Sequence, residues 1–130
     1  MSRREIRIEK LGPPVSHYTD AVQFGNLLFI SGMVSVDSDG KVLHKGDVAG
    51  QTRKIFENMK LLLETAGASF KDVLKVTLFM RNIEDRPKVN PVRQEFFGST
   101  RPASTLVEIN KLIDPDLLIE IEAVVGLPQK

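Results

Sequence analysis

The chain has 130 residues, 42% hydrophobic and 27% charged, with 18 basic residues against 17 acidic and a formal net charge of +1. That composition fits one soluble globular domain over residues 1–130, and the near balance of charge excludes the basic excess or stripe of a nucleic-acid footprint. There is no cysteine and only two histidines, His17 and His44, far apart, so neither a disulfide framework nor a thiolate nucleophile is available and no metal site is expected.

Ile6 and Ile8 alternate with charged neighbours, which predicts a first strand with one buried face. Arg3, Arg4, Arg7 and Lys10 cluster there, but Glu5 and Glu9 interleave with them, the pattern of a solvated edge. Leu11-Gly-Pro-Pro14 ends the strand, because consecutive prolines lack ladder donors. Tyr18 to Phe24 reads as a second strand and Gly25-Asn26 as a hairpin turn. Leu27-Leu-Phe-Ile30 is a continuous apolar run, predicting a central strand buried on both faces. Ser31-Gly32 interrupts it with two small residues, where either a neighbouring backbone or a ligand comes close. Asp37-Ser-Asp-Gly40 is a turn.

Val48, Thr52, Ile55, Phe56, Met59, Leu62, Leu63 and Ala66 form one helical stripe, with Asp47 as N-cap and Gly67 just beyond the C-terminus. Ser69 and Asp72 have capping-box spacing. Val73 to Met80 is a strand. A second helix is expected to start between Asp85 and Asn90, with Asn90 as cap, Pro91 in the first helical position and Gly98 at the end. Two apolar runs follow, Arg101–Ile109 and Leu117–Val125, and the short link through Asp114-Pro115-Asp116 suggests a hairpin. In the second run Glu120 and Glu122 alternate with Ile119, Ile121 and Ala123, so both carboxylates share one sheet face. The order β-β-β-α-β-α-β-β, with both helices on one face, gives a two-layer α+β domain. Its other face carries enough apolar residues to require covering by oligomerisation. No apolar run approaches the ~20 residues of a membrane span, and the first residues lack the apolar core of a signal peptide; the expected compartment is the cytoplasm, with no membrane partner.

Several landmarks follow one another in a set order. They are Tyr18, Phe29-Ile-Ser-Gly32, Gln51 to Asn58, Ala66-Gly67, Asp72-Val-Leu-Lys75, Asn90 before Phe96-Phe97, Pro102-Ala103 and Ile119-Glu-Ile-Glu-Ala123. Together they resemble the Rid family, also called YjgF or reactive-intermediate deaminases, from about Tyr18 to Ala123. The resemblance implies a chorismate-mutase-like fold with a six-stranded mixed sheet, a homotrimer with small-molecule sites in the clefts between subunits, and no metal or organic cofactor. It implies hydrolysis of an imine or enamine to a carbonyl compound and ammonia. Glu120 would orient the water, Tyr18 would help close the site, and Ser31, Gly32, Asn90 and Thr105 match substrate-binding positions. Where the best-known branch has an arginine that grips the substrate carboxylate, directly after the Pro-Ala pair, this chain has Ser104. Loss of a bidentate charged contact costs on the order of 2–5 kcal/mol of binding, so an atypical substrate is expected. A non-catalytic binding or regulatory trimer is the alternative. Arg101 is a candidate replacement for the missing charge, or a solvent-facing side chain. Read from the residues alone, Asn90 is a helix cap, Tyr18 a half-buried strand aromatic, Thr105 a strand residue and Glu122 a structural carboxylate at a subunit contact. RNA cleavage, attached to the family by naming, finds no support in the charge balance or the single tyrosine.

Overall fold

A computed structural model describes residues 2–129. The strands are β1 (Arg3–Ile6), β2 (Ala21–Phe24), β3 (Leu27–Met33), β4 (Val73–Met80), β5 (Ala103–Glu108) and β6 (Ile119–Gly126). The helices are α1 (Val48–Thr65) and α2 (Arg86–Phe97). One mixed sheet runs β1-β2-β3-β6-β4-β5. All its pairings are antiparallel except β4 with β5, whose crossover is α2.

The hairpin expected between the last two apolar runs does not form. β6 pairs with β3 and β4, and β4 separates it from β5. The exchange buries more: Ile119, Ile121, Ala123 and Val125 project under the helices, a position open only to a strand in the middle of the sheet. Glu120 and Glu122 then face the other way, as the alternation requires. No helix among the described residues is long and apolar enough to cross a membrane.

The stripe on α1 packs as its spacing dictates, with Ile55, Phe56, Met59, Leu62 and Leu63 inaccessible to solvent. Asp47 caps the helix by accepting from the Gly50 amide at 3.0 Å. Phe56 is the centre of an aromatic cluster with Phe70, Phe96 and Phe97, its ring centroids 5.3–5.8 Å from theirs.

Helix α2 begins at Arg86, inside the interval expected between Asp85 and Asn90 but five residues before Pro91. Asn82 caps the preceding turn through the Glu84 amide, and Pro87 occupies the first turn, where it costs nothing. Pro91 therefore lies inside the helix and Asn90 is not its cap. A mid-helix proline costs ~3 kcal/mol, but the extra turn buries Val89 completely beside Val92, an opposing gain of ~1.5–3 kcal/mol.

Strand β3 is interior to the sheet but is not buried on both faces. Leu28 and Ile30 are buried, whereas Phe29 is 47% exposed. Phe29 pairs across the ladders with Val22 and Val124, and Leu27 with Phe24 and Gly126. One sheet face is thus an open apolar surface that the helices do not cover. Strand β2 is also shorter than expected. Residues 16–20 are held by side chains instead: the Ser31 hydroxyl donates to the Thr19 carbonyl at 2.6 Å, and Asp20 accepts from Arg7 and from the Ile8 amide.

Among the described residues Gln51 is the one large polar side chain with no solvent exposure in this core. Its Nε2 donates to the carbonyls of Asp116 at 3.0 Å and His44 at 3.2 Å, while its Oε1 accepts the Leu118 amide at 2.8 Å. One side chain thereby ties α1 to the loop entering β6. Replacing it by leucine leaves an amide and two carbonyls without that partner, and Gln51→Leu is expected to lose about 2–3 kcal/mol, measured by urea unfolding.

Candidate active site

Strand β6 carries Glu120 out of the core and onto the margin of a cleft of about 580 Å³. Tyr18, Ser31, Gly32 and Glu120 all line it. Between Ile30 and Met33 the ladder to β6 slips: two residues of β6, from Ala123 to Ile121, oppose three of β3. This bulge at Ser31-Gly32 turns the backbone toward the carboxylate. A Cβ at Gly32 would stand 2.2 Å from Glu120 Oε2, so only glycine leaves the carboxylate where it is. Ser31 spends its hydroxyl on the Thr19 carbonyl, and its amide donates to the Asp20 carbonyl at 3.0 Å. It therefore fixes the segment that presents Tyr18, which is 47% exposed at the mouth.

Burial pushes the Glu120 carboxyl above the usual glutamate range, and the neighbouring Glu122 charge adds to the shift. Asp20, Asp37 and Asp114 line the same cleft, and no lysine or arginine does among the described residues. Asn58, from α1, is 8% exposed and faces it as well. This is an acidic cleft.

A second cleft, of about 730 Å³, opens between α2 and the segment leading into β5. Asn90 and Arg101 line it, together with Arg93, Gln94 and Phe97. Its lining includes no carboxylate among the described residues. Within one chain the two clefts share no residue. Ser104 and Thr105 are adjacent on β5 and so point to opposite faces. Ser104 accepts from Arg93 Nη2 at 3.0 Å on the helix side, and Thr105 bonds Lys75 Nζ at 2.6 Å on the open side. The expected site residues thus fall into an acidic group around Glu120, a basic group around Arg93, and Thr105 on the open face.

Among the described residues no three His, Cys, Asp or Glu side chains gather closely enough to hold a metal ion.

Residues 9–126 match the family described as endoribonuclease L-PSP. The chain belongs to this family, the Rid or YjgF proteins. A Rid-family relative, the 3-aminoacrylate deaminase RutC of Acinetobacter baylyi, is 39% identical over 124 residues, covering 95% of this chain and 98% of its own. The 2-iminobutanoate/2-iminopropanoate deaminase of Dermatophagoides farinae is 36% identical over 126 residues, covering 96% and 98%. Among solved Rid-family structures, RidA from the Antarctic bacterium Psychrobacter sp. superposes with a TM-score of 0.88 at 27% identity, covering 95% of this chain and 99% of its own. The six-stranded mixed sheet and paired helices are those of such neighbours.

Arg93 is not among the residues expected from the sequence, and Gln51 and Asn58 enter there only as Rid-family landmarks. A signal for Arg93 was present: Asn90, Arg93, Gln94 and Phe97 stand at i, i+3, i+4 and i+7, one face of a continuous helix. With Asn90 as cap and Pro91 in the first helical position, Asn90 stands outside that face.

Proposed function

We propose that this Rid-family protein hydrolyses an imine or enamine to a carbonyl compound and ammonia, in sites completed by a second copy of the chain. The carrying observation is the Glu120 carboxylate, raised in pKa and set against Gly32 in an acidic cleft. A carboxylate of raised pKa is a stronger base than an ordinary glutamate, and an imine carbon is already electrophilic, so one positioned water suffices. In the reaction Glu120 takes a proton from water as its oxygen bonds to the imine carbon. Return of that proton to the imine nitrogen gives the carbinolamine; Glu120 then takes its hydroxyl proton and passes it to the nitrogen, so that the C–N bond breaks, ammonia leaves and C=O forms. Tyr18 closes the mouth. The relatives named as deaminases of 3-aminoacrylate and of 2-iminobutanoate support the reaction class. Ser104, in place of the arginine found in the best-known branch, marks a substrate that is held differently.

The oligomer proposed is a trimer. Two observations support it: the acidic and basic clefts are separate within one chain, and the open face exposes Phe24, Leu27, Phe29, Leu74 and Val107. Nucleic acid is not the partner proposed, since the formal net charge is only +1. Light scattering is expected to give three times 14.5 kDa; a monomer overturns the composite site.

The activity test is release of ammonia and keto acid from freshly generated imines. Turnover no faster than the spontaneous rate across several imines sinks the hydrolase reading and leaves the second one, a binding trimer without catalysis, which the absent arginine favours. Gly32→Ala supplies a finer check. Its methyl displaces the carboxylate, and a shift of about 1 Å is worth about a hundredfold in rate; kcat is expected to fall by that order while the circular dichroism spectrum stays native.

A further inference from the structure

Arg93 is a charge without a counter-ion. It projects from α2 across the second cleft and gives one hydrogen bond, from Nη2 to Ser104 Oγ at 3.0 Å. No carboxylate lies within ion-pair distance of it among the described residues. Burial lowers its pKa, and no neighbouring acid opposes the shift. Arg53, on α1, shows the contrast: it meets Glu95 at 3.0 Å, and that contact raises its pKa. Desolvating a guanidinium without an anion is unfavourable, so the arrangement is left incomplete by the chain itself.

The surroundings define what completes it. Asn90, Gln94 and Arg101 line the same cleft, which supplies amide donors and a second cation but no acid. A guanidinium has five N–H donors in a fixed fork, and Ser104 engages one of its nitrogens. The rest of the fork is free to take a carboxylate in a bidentate contact. Serine is small and neutral, so it leaves room for the guanidinium and orients it, where a second cation would repel it. Arg101 is exposed at the rim, placed to attract an anion rather than to enclose it.

We propose that Arg93, positioned by Ser104, grips the carboxylate of the substrate, the charge that the sequence lacks at position 104 being supplied from α2. The assignment rests on the hydrolase reading for the identity of the substrate, an imino acid, but not for the binding of its carboxylate. It also pairs the two clefts by charge: the basic one takes the carboxylate of a 2-imino acid and the acidic one takes the nitrogen end.

The test compares the wild type with Arg93→Gln and Arg93→Lys on two measurements. The first is binding of 2-ketobutyrate, a product-class carboxylate, by calorimetry. Arg93→Gln is expected to weaken it by about thirtyfold or more, and Arg93→Lys, which keeps the charge but loses the fork, by an intermediate amount. The second is kcat/KM on an imino acid and on the matching imino amide, which has no carboxylate. Preference for the acid over the amide is expected to fall by a similar factor in Arg93→Gln, through KM more than kcat. Ser104→Ala is expected to shift the same preference by a smaller factor. If Arg93→Gln binds the keto acid as the wild type does, or lowers both substrates equally, the assignment is overturned. If the wild type turns over no imine yet loses keto-acid binding with Arg93→Gln, the hydrolase reading falls and the assignment stands. A native spectrum and unchanged oligomer mass for each variant exclude loss of fold as the cause.

Discussion

Glu120→Gln is expected to lower kcat for imine hydrolysis by about 10²–10⁴-fold, the usual worth of a positioned proton acceptor. The amide keeps the size and most of the hydrogen-bonding capacity of the side chain against Gly32, so what is removed is the ability to take a proton. KM is expected to change far less, because the carboxylate is proposed to act on water and not on the substrate's own charge. The same variant carries a stability signature of definite sign. Burial and Glu122 raise the folded-state pKa of Glu120, so the folded protein holds this proton more tightly than the unfolded chain does. Ionising Glu120 therefore costs stability as pH rises from the ordinary glutamate value through the raised one, and the cost persists above it. Glutamine has nothing to ionise. Glu120→Gln is expected to be more stable than the wild type at neutral pH, with the difference vanishing once the pH is below the normal glutamate range; thermal midpoints taken at a series of pH values would show it. A variant that is both slower and more stable is the behaviour of a functional group kept against the interest of the fold. Equal stability at all pH values would contradict the burial argument, and unchanged kcat would remove Glu120 from the chemistry.

Phe56→Ala is expected to cost about 3–5 kcal/mol, the range for emptying a fully enclosed aromatic site. Phe56 has no solvent exposure, and three rings surround it. Those rings come from two places, Phe70 in the turn before β4 and Phe96 and Phe97 at the end of α2. The cavity therefore cannot close by moving one element. Chemical denaturation should show a lower midpoint with unchanged slope, and heating a midpoint lower by roughly 10 °C or more. Because α2 also carries Arg93, loss of this packing is expected to loosen the basic cleft before the acidic one. Phe56→Leu, which refills much of the volume, should recover most of the stability.

Local features were legible in the sequence because local physics sets them. The period of two in Ile119-Glu-Ile-Glu-Ala123 orients the carboxylates whatever the partner strands are, and the stripe on α1 needs only something apolar to lie against. Asp47, Ser69-Asp72 and Gly67 work within a few residues of themselves. Partner choice is a long-range matter. The link through Asp114-Pro115-Asp116 has the length of a hairpin, but inserting β6 between β3 and β4 buries four aliphatics that an edge position would leave wet. For a related reason Asn90-Pro91 does not bound α2: it is a good local boundary, and the burial of Val89 outweighs it. At the site, Tyr18, Ser31, Gly32 and Glu120 line one cleft. Asn90 and Arg101, expected beside them from the sequence, line another. Nothing local separates the residues of one cleft from those of the other, and Arg93 stands out only when Asn90, Arg93, Gln94 and Phe97 are read as one face of a helix that continues N-terminal to Pro91.

The position of β6 in the sheet also bears on the order in which the molecule can be made. Strands β1, β2 and β3 form one antiparallel ribbon and β4 and β5 one parallel pair, and among the described residues the two sets are joined only through β6. Until that strand arrives, after every other element in chain order, each half presents an unpaired edge, the condition under which chains join to the wrong neighbours. The strand that welds the halves is the one that bears Glu120. A chain arrested before that step therefore has unpaired edges open and Glu120 not yet beside Gly32. One strand thus both completes the sheet and sets Glu120 against Gly32.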